Sequence, residues 1–128
     1  MAEVRKVIRF AKSVAASAAD TMTRKLNEDA TLERCVVKFY PGTELDLRVT
    51  PYIKTPEGGV IDIISRDTAA AGDAYLTGDD YVFDFKISLP IHKGWLLCVD
   101  YDNQDAANAY NLEVYFEVDE LAGAGRVV

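Results

Sequence analysis

Residues 81–119 read YVFDFKISLPIHKGWLLCVDYDNQDAANAYNLEVYFEVD, and they hold three strands in succession. Tyr81, Phe83, Phe85, Ile87 and Leu89 alternate with Val82, Asp84, Lys86 and Ser88. After Pro90-Ile91-His92-Lys93-Gly94, Trp95, Leu97, Val99 and Tyr101 alternate with Leu96, Cys98 and Asp100. A polar connection leads to Leu112, Val114, Phe116 and Val118, interleaved with Glu113, Tyr115, Glu117 and Asp119. Apolar side chains at every second position put one face of each strand on a core and the other in water or on a partner. The stretch therefore predicts consecutive antiparallel strands.

The chain before it follows the same period. In residues 4–10, Val4, Ile8 and Phe10 are expected inward and Arg5 and Arg9 outward. Lys6 shares the inward parity, which marks an edge strand or an exchanged arm rather than a central strand. Residues 11–30 support two readings. Val14, Ala18, Met22 and Leu26 recur every four residues and Ser17 with Asp20 resembles a capping box, as in a short helix. Residues 21–26 alternate equally well as a strand entered from the small-residue segment 13–19, and the strand is preferred because every other segment has period two.

Residues 32–40 form the next strand and stop at the Pro41-Gly42 turn. Leu45, Leu47, Val49 and Ile53 are expected to face the core in a fourth strand, with Pro51 marking an edge or a bulge. A turn over 55–59 leads to a short apolar strand over 60–64. Residues 65–80 read as a mobile loop or a partner-ordered contact loop, with a short strand at Tyr75 and Leu76. About eight short strands between Pro, Gly, Asn and Asp turns predict an all-β fold, an antiparallel β-sandwich of jelly-roll type. One domain is expected over residues 1–128, with 1–12 an arm or edge strand and 120–128 a tail.

An apolar share of 49% with a charged share of 27% is that of a soluble globular chain. No apolar run approaches the ~20 residues that span a bilayer, so no membrane partner is expected. Arg5, Lys6 and Arg9 interrupt the apolar residues of the N-terminal segment, unlike a secretory leader. The net charge of −7 is unevenly spread: residues 1–54 carry ten Lys/Arg against seven Asp/Glu, and residues 55–128 carry four against fourteen. An acidic surface of this kind argues against nucleic acid as a partner. The asymmetry itself is either a solvated face or a basic first segment lying on an acidic surface of a neighbouring subunit. Cys35 and Cys98 are too few for a disulfide scaffold and read as buried thiols.

No residue pattern reads as a catalytic motif, and no cofactor is expected. His92 stands alone in a connection, with no Ser or Cys placed beside it by the sequence. Asp100, Asp102, Asn103 and Asp105 are the best calcium candidate, yet the segment lacks the glycine and the closing glutamate of an EF-hand loop. An Asp/Asn-rich turn explains it as well. Trp95 and Tyr40, Tyr52, Tyr75, Tyr101, Tyr110 and Tyr115 would stack sugars only if loop aromatics converge; by parity Trp95 and Tyr101 belong to the core.

Gly78-Asp79-Asp80-Tyr81-Val82-Phe83, Leu89-Pro90-Ile91-His92-Lys93-Gly94 with the following strand, Tyr101-Asp102-Asn103, Asn108-Ala109-Tyr110 and the last strand resemble small β-sandwich structural proteins of tailed bacteriophages and related viruses. The Phe39-Tyr40-Pro41-Gly42 turn fits the same pattern. The resemblance covers about residues 30–119. It implies a non-enzymatic protein that decorates or cements a capsid in the virion after assembly in the host cytoplasm. Its partners would be the major capsid protein or another virion protein, and copies of itself, as in a trimer. Contact residues are expected on the first strand (Val4, Arg5, Ile8, Arg9, Phe10), in the 65–80 loop (Tyr75) and on the tail (Arg126, Val127, Val128). The competing class is a carbohydrate-binding module or an adhesin-like fibre domain on the same kind of sandwich.

Overall fold

The computed structural model describes residues 3–64 and 75–121, and the side chains of residues 5–64 and 75–120. Eight strands run in chain order as β1 (Glu3–Val14), β2 (Ala19–Lys25), β3 (Ala30–Phe39), β4 (Leu47–Lys54), β5 (Val60–Asp62), β6 (Tyr81–Ile91), β7 (Leu96–Asn103) and β8 (Tyr110–Leu121). They form two four-stranded sheets, ordered β1-β8-β3-β6 and β2-β7-β4-β5. The first strand pairs with the last, the second with the seventh, the third with the sixth and the fourth with the fifth, all antiparallel. That nested pairing is the jelly-roll winding, and it fulfils the sandwich expectation.

The core lies between the sheets, where the inward sets of both meet. Phe10, Leu32, Val37, Phe39, Leu47, Val49, Ile53, Leu97, Val99, Leu112, Val114 and Phe116 are all buried there. Residues 11–30 resolve in favour of β-structure: β1 continues to Val14, a turn covers 15–18 and β2 follows. Met22 packs on the core from β2 while its neighbours face solvent, so the four-residue spacing reflects two strand positions, Val14 and Met22, and two connecting positions, Ala18 and Leu26.

Two local features depart from simple alternation. In β3, Leu32 pairs with Val118 and Arg34 with Glu117, so Glu33 is an extra residue that the partner strand does not match. This bulge shifts the inward parity by one, which lets both Leu32 and Cys35 reach the core from a single strand. Pro51 sits inside β4, an inner strand of its sheet, rather than at an edge. The N–H of Val49 bonds Leu76, and residues of the same parity aim their amides that way. The missing amide of Pro51 thus falls between that bridge and the short β5 ladder, which begins at Tyr52, and removes no bond from the β7 side.

Leu45 corrects the sequence reading. It precedes β4, in a turn, and its side chain is 60% exposed rather than inward. The charge asymmetry is resolved within the chain: β1 lies along the acidic β8. Arg5 forks onto Asp119 at 2.7 and 2.8 Å and reaches Glu117 at 2.8 Å. Lys6 meets Glu120 at 3.0 Å, and Arg9 meets Glu113 at 2.8 Å. Lys6 does share the inward parity, but near the start of this edge strand its side chain stays 49% exposed while it reaches Glu120.

Glu113 is the most heavily bonded of these acids. Its carboxylate accepts from the Tyr115 hydroxyl, the Arg9 guanidinium and the Tyr40 hydroxyl. Those donors, Tyr115 first, hold its pKa down at about 2 from an ordinary 4.5. A depressed carboxylate stabilises the fold above its unfolded pKa and gives that contribution up as pH falls through the folded one. Replacing Glu113 by Gln is therefore expected to cost about 1–2 kcal/mol at neutral pH, discounted for the exposed Arg9. The gap between wild type and variant should close as pH drops from about 4.5 to about 2. Urea midpoints measured across that window check it, and a gap that stays constant contradicts the assignment.

Candidate functional site

The winding gathers the turn over 15–18, residues 40–46, residues 75–80 and the connection 104–109 at one end of the sandwich. Cross-bonds tie them: Ser17 N–H to Asp105 O at 2.9 Å, Gln104 N–H to Asp46 O at 2.8 Å and Gly42 N–H to Asp79 Oδ1 at 2.7 Å. At this end an open concavity of about 650 Å³ is lined by Glu44, Leu45, Thr77, Gly78, Asp79, Tyr81 and Phe83, within the size range of ligand and peptide clefts. Its surface is mainly apolar, with the Glu44 and Asp79 carboxylates among the lining groups.

Backbone chemistry shapes this concavity. Gly42 has φ 94° and opens the turn. Thr43 is buried and folds its hydroxyl back on Tyr40 O at 2.7 Å. Glu44 and Leu45 follow at φ 52° and 65°, and Asp80 opposite has φ 50°. The left-handed region costs an L-residue roughly 1–2 kcal/mol, and such strain concentrates at functional positions. Gly78 lies so close to Phe39 that a Cβ there would come within 2.9 Å of the ring. Tyr81 is 55% exposed and stacks edge-on to Phe83 at 4.8 Å between centroids. Tyr81 has the inward parity the sequence predicts. It stays exposed because β6 is a sheet edge facing the three-residue β5, and Phe83, Ile87 and Leu89 are only half covered for the same reason.

The residues expected to touch a partner scatter. Arg5 and Arg9 are exposed on the outer face of β1, but both are engaged with β8 acids. Ile8 and Phe10 are buried in the chain's own core, Phe10 edge-on to Phe116 at 5.5 Å, so their side chains are committed inward. Val4 pairs through its backbone with Glu120. Tyr75 is exposed beneath the Arg48 guanidinium at 4.5 Å, on the outer face of the β2-β7-β4-β5 sheet. Arg126, Val127, Val128 and most of the 65–80 loop lie outside the described residues.

The calcium candidates do not converge. Asp100 accepts from Thr21 at 2.5 Å and Tyr52 at 2.9 Å on the outer sheet face. Asn103 points inward, donating to Val14, Ala15 and Asn108 carbonyls. Asp105 caps the 104–109 connection, accepting from Ala107 N–H, Asn108 N–H and side chain, and Tyr110 O–H. These donors, Tyr110 first, drive its pKa well below the carboxylate range, and the same bond raises Tyr110 to about 12. No group of three or more His, Cys, Asp or Glu gathers as a metal set among the described residues.

His92 is exposed, its ring edge-on to Trp95 at 5.0 Å and its Nδ1 3.7 Å from Asp29. Trp95 is partly buried against the core, and Tyr101 is buried. The remaining tyrosines are spread over both sheets as hydroxyl donors to carboxylates. Cys35 and Cys98 are free and buried, in different sheets, and burial pushes both thiols up.

No protein-family model matches the sequence, and no curated protein matches it significantly. Similar folds occur among solved structures. A Yersinia pseudotuberculosis-derived mitogen has 7% identity over 88% of this chain and 86% of its own, with a TM-score of 0.49. The first carbohydrate-binding module of family 32 from a Clostridium perfringens glycoside hydrolase has 14% identity over 85% and 75%, with a TM-score of 0.49. The VP2 subviral particle of infectious bursal disease virus has 12% identity over 95% of this chain and 33% of VP2, with a TM-score of 0.44. The likeness is one of general β-sandwich form and transfers no residue role or partner to this chain.

Proposed function

We propose that the protein is a non-enzymatic structural component that adheres to a viral capsid, using the concavity at its loop end to grip the major capsid protein or another virion protein. One observation carries this reading: Leu45 is 60% exposed on a strained backbone beside the exposed Tyr81, in a concavity whose carboxylates are Glu44 and Asp79. An apolar side chain held out to solvent at a conformational cost suits a surface that another protein covers. The bacteriophage resemblance of residues 30–119 points the same way, and the net charge of −7 suits neither nucleic acid nor an anionic membrane surface.

The test uses Leu45→Asn. Asparagine accepts the left-handed conformation at lower cost than leucine, and little burial is lost. The variant should be more stable by about 0.5–1 kcal/mol and yet fail to co-sediment with capsid shells that retain the wild type. If it is less stable, Leu45 is a packing residue; if it still co-sediments, the concavity is not the grip.

A carbohydrate-binding reading has its own support, since the Tyr81 ring with nearby carboxylates offers a stacking face and hydrogen-bond acceptors. Glycan-array binding by the wild type that disappears in Tyr81→Ala, without co-sedimentation, would favour it.

A further inference from the structure

The β1-β8-β3-β6 sheet has two long open edges, and their properties match each other. β1 is 12 residues long and β6 is 11. Among the described residues no strand lies beyond either one. The other sheet manages its edges differently: β5 has three residues and β2 has seven, almost all exposed and polar. β1 contains neither proline nor glycine, and Val7 on its outer face is 58% exposed. Val82 on β6 is 49% exposed.

Direction and register also fit. Antiparallel pairing across four strands leaves β1 and β6 running oppositely. A second copy in the same orientation therefore brings its β1 antiparallel to this β6, extending the sheet's alternation. The two strands also share rows across the sheet. Arg9, Tyr115, Val36 and Asp84 form one row, and Ala11, Glu113, Lys38 and Val82 the next. Both end residues of each row point to the outer face. Juxtaposing the edges in the same row sets the Arg9 of one copy, bonded to its own Glu113, beside the Asp84 of the other, bonded to its own Arg34 at 2.6 and 2.7 Å, and sets Ala11 beside Val82. Charge supports this over the symmetric alternatives. β1 carries Arg5, Lys6, Arg9 and Lys12 against Glu3 alone, three of these cations being held by β8 acids, so two β1 edges would still bring like charges together at Lys12, whereas β6 balances Asp84 with Lys86 and is entered through Asp79 and Asp80. A β6–β6 pair would leave the longest open edge of the chain uncovered.

We infer that copies of this protein associate head to tail, β1 of one adding to the β6 edge of the next, with Ala11 and Val82 in one row. The contact is heterologous, so it closes into a ring or propagates according to the rotation between copies. It uses the outer sheet face and edges, and does not rest on the capsid reading of the loop-end concavity.

The test is disulfide cross-linking of two single variants of the full chain, Ala11→Cys and Val82→Cys. Residues in one row of an antiparallel pair lie within disulfide reach, and Cys35 and Cys98 are buried and do not compete. Both substituted sites are exposed, and matching thermal melts confirm that each variant folds. Mixed and oxidised, the two should give roughly tenfold more covalent dimer than either alone, because a heterologous contact needs one of each. Self-cross-linking of either variant as efficient as the mixture would make the contact isologous and overturn the inference. So would a wild type that sediments as a monomer at its highest soluble concentration, or a mixture that yields no dimer.

Discussion

Phe116→Ala is expected to destabilise the protein by about 3–5 kcal/mol, the largest effect of any single truncation considered. Phe116 is fully buried on β8, between Ile8 of β1 and Cys35 of β3. It also meets the Phe10 ring edge-on, a geometry worth roughly 0.5–1.5 kcal/mol beyond burial. Removing the ring leaves a cavity beneath two neighbouring strands that are themselves locked in register, so the site cannot collapse cheaply. Domains of this size have about 5–15 kcal/mol in total, so the variant should be partly unfolded well below the wild-type melting temperature. Equilibrium urea denaturation measures it. A cost under about 1.5 kcal/mol would mean the β8 face is far less tightly packed than this geometry requires.

The second large effect falls on a polar side chain. Asn103 is buried, and its amide donates to the carbonyls of Val14, Ala15 and Asn108 while its Oδ1 accepts from Asp105 N–H at 2.9 Å. One side chain thus joins the β1–β2 turn to the β7–β8 connection. Asn103→Ala leaves the Asp105 N–H without its acceptor and takes a donor from three carbonyls at once, of which Ala15 O keeps the Ala18 N–H, with an expected cost of about 2–4 kcal/mol. Asn103→Asp keeps the shape but presents a carboxylate to carbonyl oxygens. It should do worse than alanine at neutral pH and recover part of the loss on acidification, when the protonated acid can donate one bond. Denaturation of both variants near neutral and near pH 4 distinguishes a bonded network from simple packing; an aspartate variant no worse than alanine would refute the network.

Strand number, direction and most inward faces were legible because alternation is a short-range signal written in the residues themselves. Phe85, Leu97, Val99, Leu112, Val114 and Val118 are where period two puts them. What alternation misses depends on neighbours distant in sequence. Glu33 is an extra residue only because β8 has no residue to match it. Pro51 is tolerable in an inner strand only because β5 begins one residue later. The basic first segment finds its acidic counterpart on β8 of its own chain, a pairing that charge counting alone cannot locate.

The loop-end concavity was the least legible part. Leu45 reads as one more inward residue of β4, and only the positive φ of Glu44 and Leu45 turns it outward. Tyr81 carries the right parity for a core residue, and its exposure follows from β5 being too short to cover it. The available hint was the pair of glycine-containing turns, Pro41-Gly42 and Gly78-Asp79-Asp80, each beside an apolar side chain.

Nested pairing also dictates the order in which the nascent chain can close. The β4–β5 hairpin emerges complete, whereas β1 leaves the ribosome first and its partner β8 leaves last, with Arg5 and Asp119 separated by 114 positions. At roughly 5–20 residues per second, β1 waits on the order of ten seconds during synthesis without its ladder. Through that interval Arg5, Lys6, Arg9 and Lys12 act as gatekeepers, keeping an apolar, β-prone segment from pairing with other emerging chains. The cations that later fasten the first strand to the last also keep it soluble until the last one arrives.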